Sequence, residues 1–341
     1  MRPNPLRVAA ACLAALTSAA LPPGPAAAAE SGGAVSEPTA AAPALVRAAD
    51  GWSVQWNGRS EALRLPAGVG MGRIAALGAG WIAVGGRKAG DRLEIYLVAD
   101  SGRGAVELAP PGDPVGLVRE GAVPVIAGDR LAGVAWLEGN ERRSYAVRWA
   151  AWAGSAFGSP VEIAPRGPGS QLALAAAALG DGRIVVVWSG FDGLDDEVWA
   201  SVGDGARWSP PERVGADNAV PDVTPDVVAA GGGALVAWSR FDGSEYRVRL
   251  ARLDGDRFVE LDAEGPGGSL APTFAGADPR PRLLFRDARG DDWALAELTD
   301  AGRLVTRARA AGSADERPAV TVAGGQARFR FPAGEVVSDW R

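Results

Sequence analysis

Any chemistry in this chain falls to carboxylates, guanidinium groups and aromatic rings. The sequence of 341 residues has no histidine and one cysteine, Cys12. That composition excludes Ser-His-Asp and Cys-His catalysis, disulfides, Cys/His zinc sites, His- or Cys-ligated haem and iron–sulfur clusters. No cofactor is expected. The richest grouping of the remaining types occurs twice, as Trp188-Ser-Gly-Phe191-Asp192-Gly193 and Trp238-Ser-Arg240-Phe241-Asp242-Gly243, with a fainter copy at Phe285-Arg286-Asp287 and Arg289. A ring beside an Arg and a carboxylate can stack on a sugar and hydrogen-bond its hydroxyls. Phe191, Asp192, Arg240, Phe241, Asp242, Arg286 and Asp287 are therefore the candidate ligand-binding set. The competing reading is that Asp-Gly is ordinary turn chemistry and Phe caps the packing beneath it.

Other groupings carry less. Asp192, Asp195 and Asp196 offer oxygens to Ca²⁺, but their spacing is not that of an EF-hand loop. They read as a solvated acidic turn, and no metal site is assigned. Asp222 and Asp226 begin an apolar run, and paired carboxylates there would suit glycosidic acid/base work or serve as turn residues. Trp136, Trp188 and Trp238 would form either a ring of aromatic platforms or inter-sheet packing, and packing is the expectation. Gly68-Val-Gly-Met-Gly72 does not complete a phosphate-binding loop and precedes no helix.

The elements that must position these residues follow from a repeat. Trp136, Trp188, Trp238 and Phe285 recur at intervals of roughly fifty residues, the range of solenoids, propellers and arrays. One unit reads as four short strands: Pro225–Ala230, Ala234–Trp238, Tyr246–Arg252 and Arg257–Leu261, joined by Gly- and Asp-rich turns. The first two are continuously apolar, as strands covered on both faces are. The outer two alternate with polar residues, as strands near solvent do. Four antiparallel strands repeating at this period describe a β-propeller blade. The expected fold is all-β, a six-bladed β-propeller spanning residues 44–341 as one domain, with a seven-blade count as the alternative. Units fall near 71–116, 117–168, 169–221, 222–272 and 273–318. The last blade would combine the N-terminal hairpin around Asn57-Gly58 with C-terminal strands from 319 onward, leaving no long free edge. Turns between second and third strands then share one face with the inter-blade loops, which gathers the candidate set there.

The repeat resembles the sialidase-like propellers with Asp-box repeats. Ser201-Val-Gly-Asp204-Gly205-Ala-Arg-Trp208 lies where that family carries a Ser-x-Asp-x-Gly-x-x-Trp-like turn, with one extra residue between Ser and Asp; Asp254-Gly255-Asp256 and Asp300-Ala-Gly302 are more degenerate. The resemblance covers residues 117–318 best. It implies that this Asp braces its own turn through backbone N–H groups. The family's Arg triad, Tyr–Glu pair and catalytic Asp find no match: Tyr96, Tyr145 and Tyr246 all fall in third strands, away from the axis. The resemblance therefore implies a non-catalytic member.

Residues 1–29 have the form of a secretory signal: Arg2 and Arg7, an apolar run from Val8 to Leu21, then Ala27-Ala28-Ala29. Acylation at Cys12 is disfavoured because too short an apolar stretch precedes it. Residues 30–43 read as a flexible linker. The net charge of −6 argues against nucleic-acid binding, and no apolar stretch after the leader is long enough to span a membrane. The expectation is an exported, periplasmic or secreted propeller. It would bind a glycan or a protein partner at its turn-bearing face. A carboxylate-dependent carbohydrate hydrolase or lyase, and a structural envelope scaffold, are the alternatives.

Overall fold

A computed structural model describes residues 19–21, 43–48, 51–100, 102, 104–112, 118–140, 145–167, 171–275, 281–313, 317–331 and 334–340. All regular structure among them is strand, and it is laid out in chain order. A short β1 (Ala19–Leu21) is followed by a three-stranded sheet of β2 (Ala44–Ala48), β3 (Gly51–Trp56) and β4 (Arg59–Leu63). Five four-stranded units come next. The first is β5 (Val69–Leu77), β6 (Gly80–Ala89), β7 (Arg92–Asp100) and β8 (Ala105–Leu108). The second is β9 (Val118–Ala127), β10 (Arg130–Gly139), β11 (Tyr145–Ala151) and β12 (Val161–Ala164). The third is β13 (Gln171–Ala178), β14 (Ile184–Phe191), β15 (Asp196–Gly203) and β16 (Glu212–Arg213). The fourth is β17 (Asp222–Ala230), β18 (Gly233–Phe241), β19 (Tyr246–Asp254) and β20 (Arg257–Glu264). The fifth is β21 (Ser269–Phe274), β22 (Arg282–Asp287), β23 (Asp292–Leu298) and β24 (Leu304–Ala311). A second three-stranded sheet, β25 (Ala319–Ala323), β26 (Gln326–Phe331) and β27 (Gly334–Asp339), completes the chain.

Pairing within each unit is antiparallel between chain neighbours, as short turns require. The Asn57-Gly58 turn has both residues at positive φ, the geometry a two-residue hairpin needs. The expected units coincide with the observed ones to within a few residues, except that β21 begins at Ser269 rather than after 272. The expected shared last blade is not found. Strands β2–β4 and β25–β27 pair only among themselves, so the two ends form two separate three-stranded sheets. β27 supplies the third C-terminal strand. Most of the expected leader and linker lies outside the described residues, and β1 pairs in parallel with β5.

The core lies between the sheets. Trp136 packs against Ile82 and Val84 of the first unit, Trp188 against Val147 and Trp149 of the second, and Trp238 against Val185 and Val187 of the third. Phe285 continues the series against Leu235 and Ala237. All four rings are at most 1% exposed, and each removes roughly 150–250 Å² from water. The Trp residues are therefore packing and not platforms.

Opposite each of these rings the first strand of the unit carries a β-bulge, with register shifts at Glu120/Val123, Leu172/Ala175, Val223/Asp226 and Leu270/Thr273. Ala173, Thr224 and Ala271 sit there at positive φ, an uncommon state for residues with a Cβ. Bulges re-aim peptide groups, and two of the carbonyls so placed accept bonds from buried arginines described below.

Candidate functional site

Strands β14, β18 and β22 end at the same edge of their sheets, the edge at which β13, β17 and β21 begin. The candidate set is brought together there in part, and mostly by pairing with itself. Asp192 Oδ1 accepts the N–H groups of Leu194 (2.8 Å) and Asp195 (3.2 Å). Asp242 Oδ1 accepts those of Ser244 and Glu245, both at 2.9 Å, together with the Ser244 hydroxyl. These are turn braces, and they hold both carboxyls below the ordinary range. Asp287 accepts the Arg289 N–H (3.1 Å) and Arg309 Nη1 (2.6 Å). Arg286 pairs with Asp291. Asp204 of the Asp-box-like turn braces itself in the same way, through Ala206 and Arg207 at 2.9 and 2.7 Å. Phe191 and Phe241 remain half-buried at the ends of β14 and β18, and the Phe241 ring lies 5.2 Å from that of Tyr246.

Arg240 is a clamp. Its Nε and Nη2 donate to the two oxygens of Asp222 at 2.8 and 2.7 Å, and Nη1 donates to Glu260 at 3.2 Å. Burial pushes the Asp222 carboxyl up, while the Arg240 bonds pull it down. Asp222 is thus held in a bidentate pair beside its own strand. The second unit carries the reversed pair at the matching place, with Arg119 Nε donating to Glu138 at 2.9 Å, both side chains almost wholly buried.

Beside this clamp lies an acidic cluster. Asp192, Asp195 and Glu197 each bring one carboxylate oxygen within 4.8 Å of the others. Asp195 is buried and not solvated, as are Glu197 and Asp222. Burial, reinforced by Asp222, raises Glu197 to about 7. Asp195 is raised chiefly by burial, then by Asp192 and Asp222. Arg213 supplies the nearest positive charge, 2.6 Å from Asp192 and 3.7 Å from Glu197, with its guanidinium 5.3 Å from the Trp199 ring. Asn218, from the connection between the third and fourth units, donates to Asp222 at 3.3 Å. Glu197, Arg213, Asn218 and Glu260 were not among the sequence candidates. Glu197, Arg213 and Glu260 lie on the outer strands β15, β16 and β20 and Asn218 in the connection before β17, places whose charged and polar residues look like any solvated surface.

Asp226 is placed differently from Asp222. It accepts the Phe274 N–H at 2.8 Å and faces Arg317 and Arg73. Arg73 comes from β5 and donates to the Leu174 carbonyl of β13 at 2.6 Å; Arg317 donates to the Ala271 carbonyl of β21 at 3.1 Å. Residues from the first, third, fourth and fifth units and from the segment before β25 therefore converge on one buried point. Burial lowers Arg317 to about 10 and also lowers Arg73. Asp226 serves here as a counter-ion and backbone acceptor, which leaves no free carboxylate pair with Asp222. A cavity of about 590 Å³ lies elsewhere, between β4, β7 and β8, lined by Glu61, Arg64, Tyr96 and Glu107 among others; it contains none of the candidate set.

No family model matches the chain. No curated protein matches it either. Solved structures do. A protein of unknown function from Dyadobacter fermentans DSM 18053 is 11% identical over 81% of this chain and 96% of its own, with a TM-score of 0.50. An ulvan lyase of polysaccharide lyase family PL25 is 12% identical over 87% of this chain and 86% of its own, with a TM-score of 0.52. The same lyase bound to -[GlcA(1-4)Rha3S]- gives 11%, 87%, 86% and 0.52. The fold is propeller-type. At these identities the likeness shows fold alone. Arg73, Asp226 and Arg317 tie together strands of separate units, and the candidate set with the acidic cluster lies at the turn-bearing end of the third to fifth units. No helix among the described residues is long and apolar enough to cross a membrane.

Proposed function

We propose that the chain is an exported β-propeller that binds a glycan at its turn-bearing face. The observation that carries this reading is the pair Phe191 and Phe241. They are half-buried rings at equivalent strand ends, and each is followed by an Asp-braced turn that fixes its place. Rings held rigidly and partly open are what a sugar face stacks on at low entropic cost. Arg/carboxylate pairs beside them, Arg247–Asp242 and Arg289–Glu245, present polar edges for hydroxyls. The bound uronate-containing saccharide in the structurally similar ulvan lyase supports a glycan over a protein as the ligand class. The blade count in this reading is seven, with the two terminal three-stranded sheets as neighbouring blades that close the ring. Phe191→Ala with Phe241→Ala is expected to abolish retention on a polysaccharide array while the thermal unfolding midpoint stays within a few degrees. Retention equal to wild type would remove the reading.

A second reading, a carboxylate-dependent hydrolase or lyase, is favoured by the buried Glu197 carboxyl beside Asp222, which burial pushes up to about 7, the range in which a general acid or base works. It predicts turnover on a panel of acidic polysaccharides that Glu197→Gln removes. A panel without turnover leaves binding as the function.

A further inference from the structure

Asp195 has a buried carboxylate with no partner on either oxygen. The residue is 8% exposed and both oxygens are sealed from solvent. Its neighbours are mostly of the wrong sign: Asp192, Asp222 and Asp196 against Arg213. A buried acceptor without a donor is costly, and a like-charged neighbourhood adds to that cost. Asp192 and Glu197, by contrast, are partnered. Asp192 Oδ1 takes two backbone N–H groups and Oδ2 takes Arg213; Glu197 Oε1 lies 3.4 Å from the Asn218 N–H. One carboxylate oxygen of each of the three lies within 4.8 Å of the other two.

We propose that Asp192, Asp195 and Glu197 form a Ca²⁺ site that ties the β14–β15 turn to the start of β15. One oxygen from each carboxylate lies within 4.8 Å of the other two, close enough to share one ion. A buried, irregular set of carboxylates suits Ca²⁺, which takes oxygen ligands in flexible geometry, over Mg²⁺, which demands near-octahedral geometry and dehydrates reluctantly. Hard carboxylate oxygens with neither His nor Cys nearby suit Ca²⁺ and not zinc or copper. Arg213 is held by Asp192 and Asp217. The ion supplies the charge that Asp195 lacks and fixes the turn that Phe191 leads into. The site does not depend on glycan binding, since cation binding is read without any saccharide.

The test uses the full chain stripped with a chelator, with Tb³⁺ as a luminescent probe excited through Trp199, whose ring already stacks on Arg213. The expected result is saturation at one Tb³⁺ per chain, displacement by Ca²⁺, and displacement by Mg²⁺ at least tenfold weaker. Asp195→Asn should weaken Tb³⁺ and Ca²⁺ at least tenfold, while its metal-free form unfolds no lower than metal-free wild type. Asp204→Asn, in the β15–β16 turn, should bind as wild type. Should Asp195→Asn fail to fold, Glu197→Gln carries the same expectation for affinity. Absence of saturable Tb³⁺ or Ca²⁺ binding to wild type, or equal affinity in the variant, overturns the proposal.

Discussion

Arg240 holds two carboxylates at once, Asp222 by both oxygens and Glu260 by one. Its side chain is 17% exposed and that of Asp222 is 1% exposed, so the pair sits on the low-dielectric side of the surface. Removing one partner of such a pair strands the other charge, at a cost of about 3–5 kcal/mol. Arg240→Ala is therefore expected to lower unfolding stability by about that much in a urea titration. Arg240→Lys should recover part of the loss, because it keeps the charge and forfeits the fork. A neutral Arg240→Ala would mean the clamp does not form. The sequence places Arg240 near a strand end, where the structure has it, yet it gives no means of telling a side chain that waits for a ligand from one already paired. The partner, Asp222, lies across a strand pairing whose bulge shifts the register. Asp195 is similar: Asp-Asp-Glu reads as a solvated run, and burial is set by the next sheet packing over it.

At the scale of turns and strands, Asp204 and Asp242 do the same work in different loops. Each accepts two backbone N–H groups; the Ser244 hydroxyl and then those bonds hold the Asp242 carboxyl below its ordinary value, and the backbone bonds do so for Asp204. A carboxyl whose folded value is depressed adds stability above its unfolded value of roughly 3.9, and that stability is lost as pH falls toward the folded value. Asp242→Asn and Asp204→Asn should each flatten the loss of thermal stability between about pH 5 and pH 2 relative to wild type. An unchanged acid limb in both variants would show that the braces are not formed in solution. These turns were legible, because Asp-Gly after an apolar run has a local mechanism. So were the four-strand unit and the inter-sheet role of Trp136, Trp188 and Trp238. The bulges were not. Ala173, Thr224 and Ala271 carry no local preference for positive φ, and the sheet imposes it so that the strand can turn carbonyls toward Arg73 and Arg317.

Across the whole molecule, each sheet buries its repeat aromatic against the preceding sheet, and inner-strand groups converge on Asp226. The period predicts this order. The fate of the two ends escapes it, because their strands are short and fit a shared sheet as well as two separate ones. Two surfaces compete as the place for the proposed glycan: the strand ends carrying Phe191, Phe241 and the braced turns, and, apart from them, the cavity beside β4 and β8. Hydrogen–deuterium exchange on the full chain, with and without a glycan retained on the array, separates these surfaces most directly. Protection confined to peptides covering 189–197 and 239–247 is the predicted outcome. Protection over 59–66 and 104–108, with the turn peptides unchanged, would contradict the assignment of the ligand to the turn-bearing face.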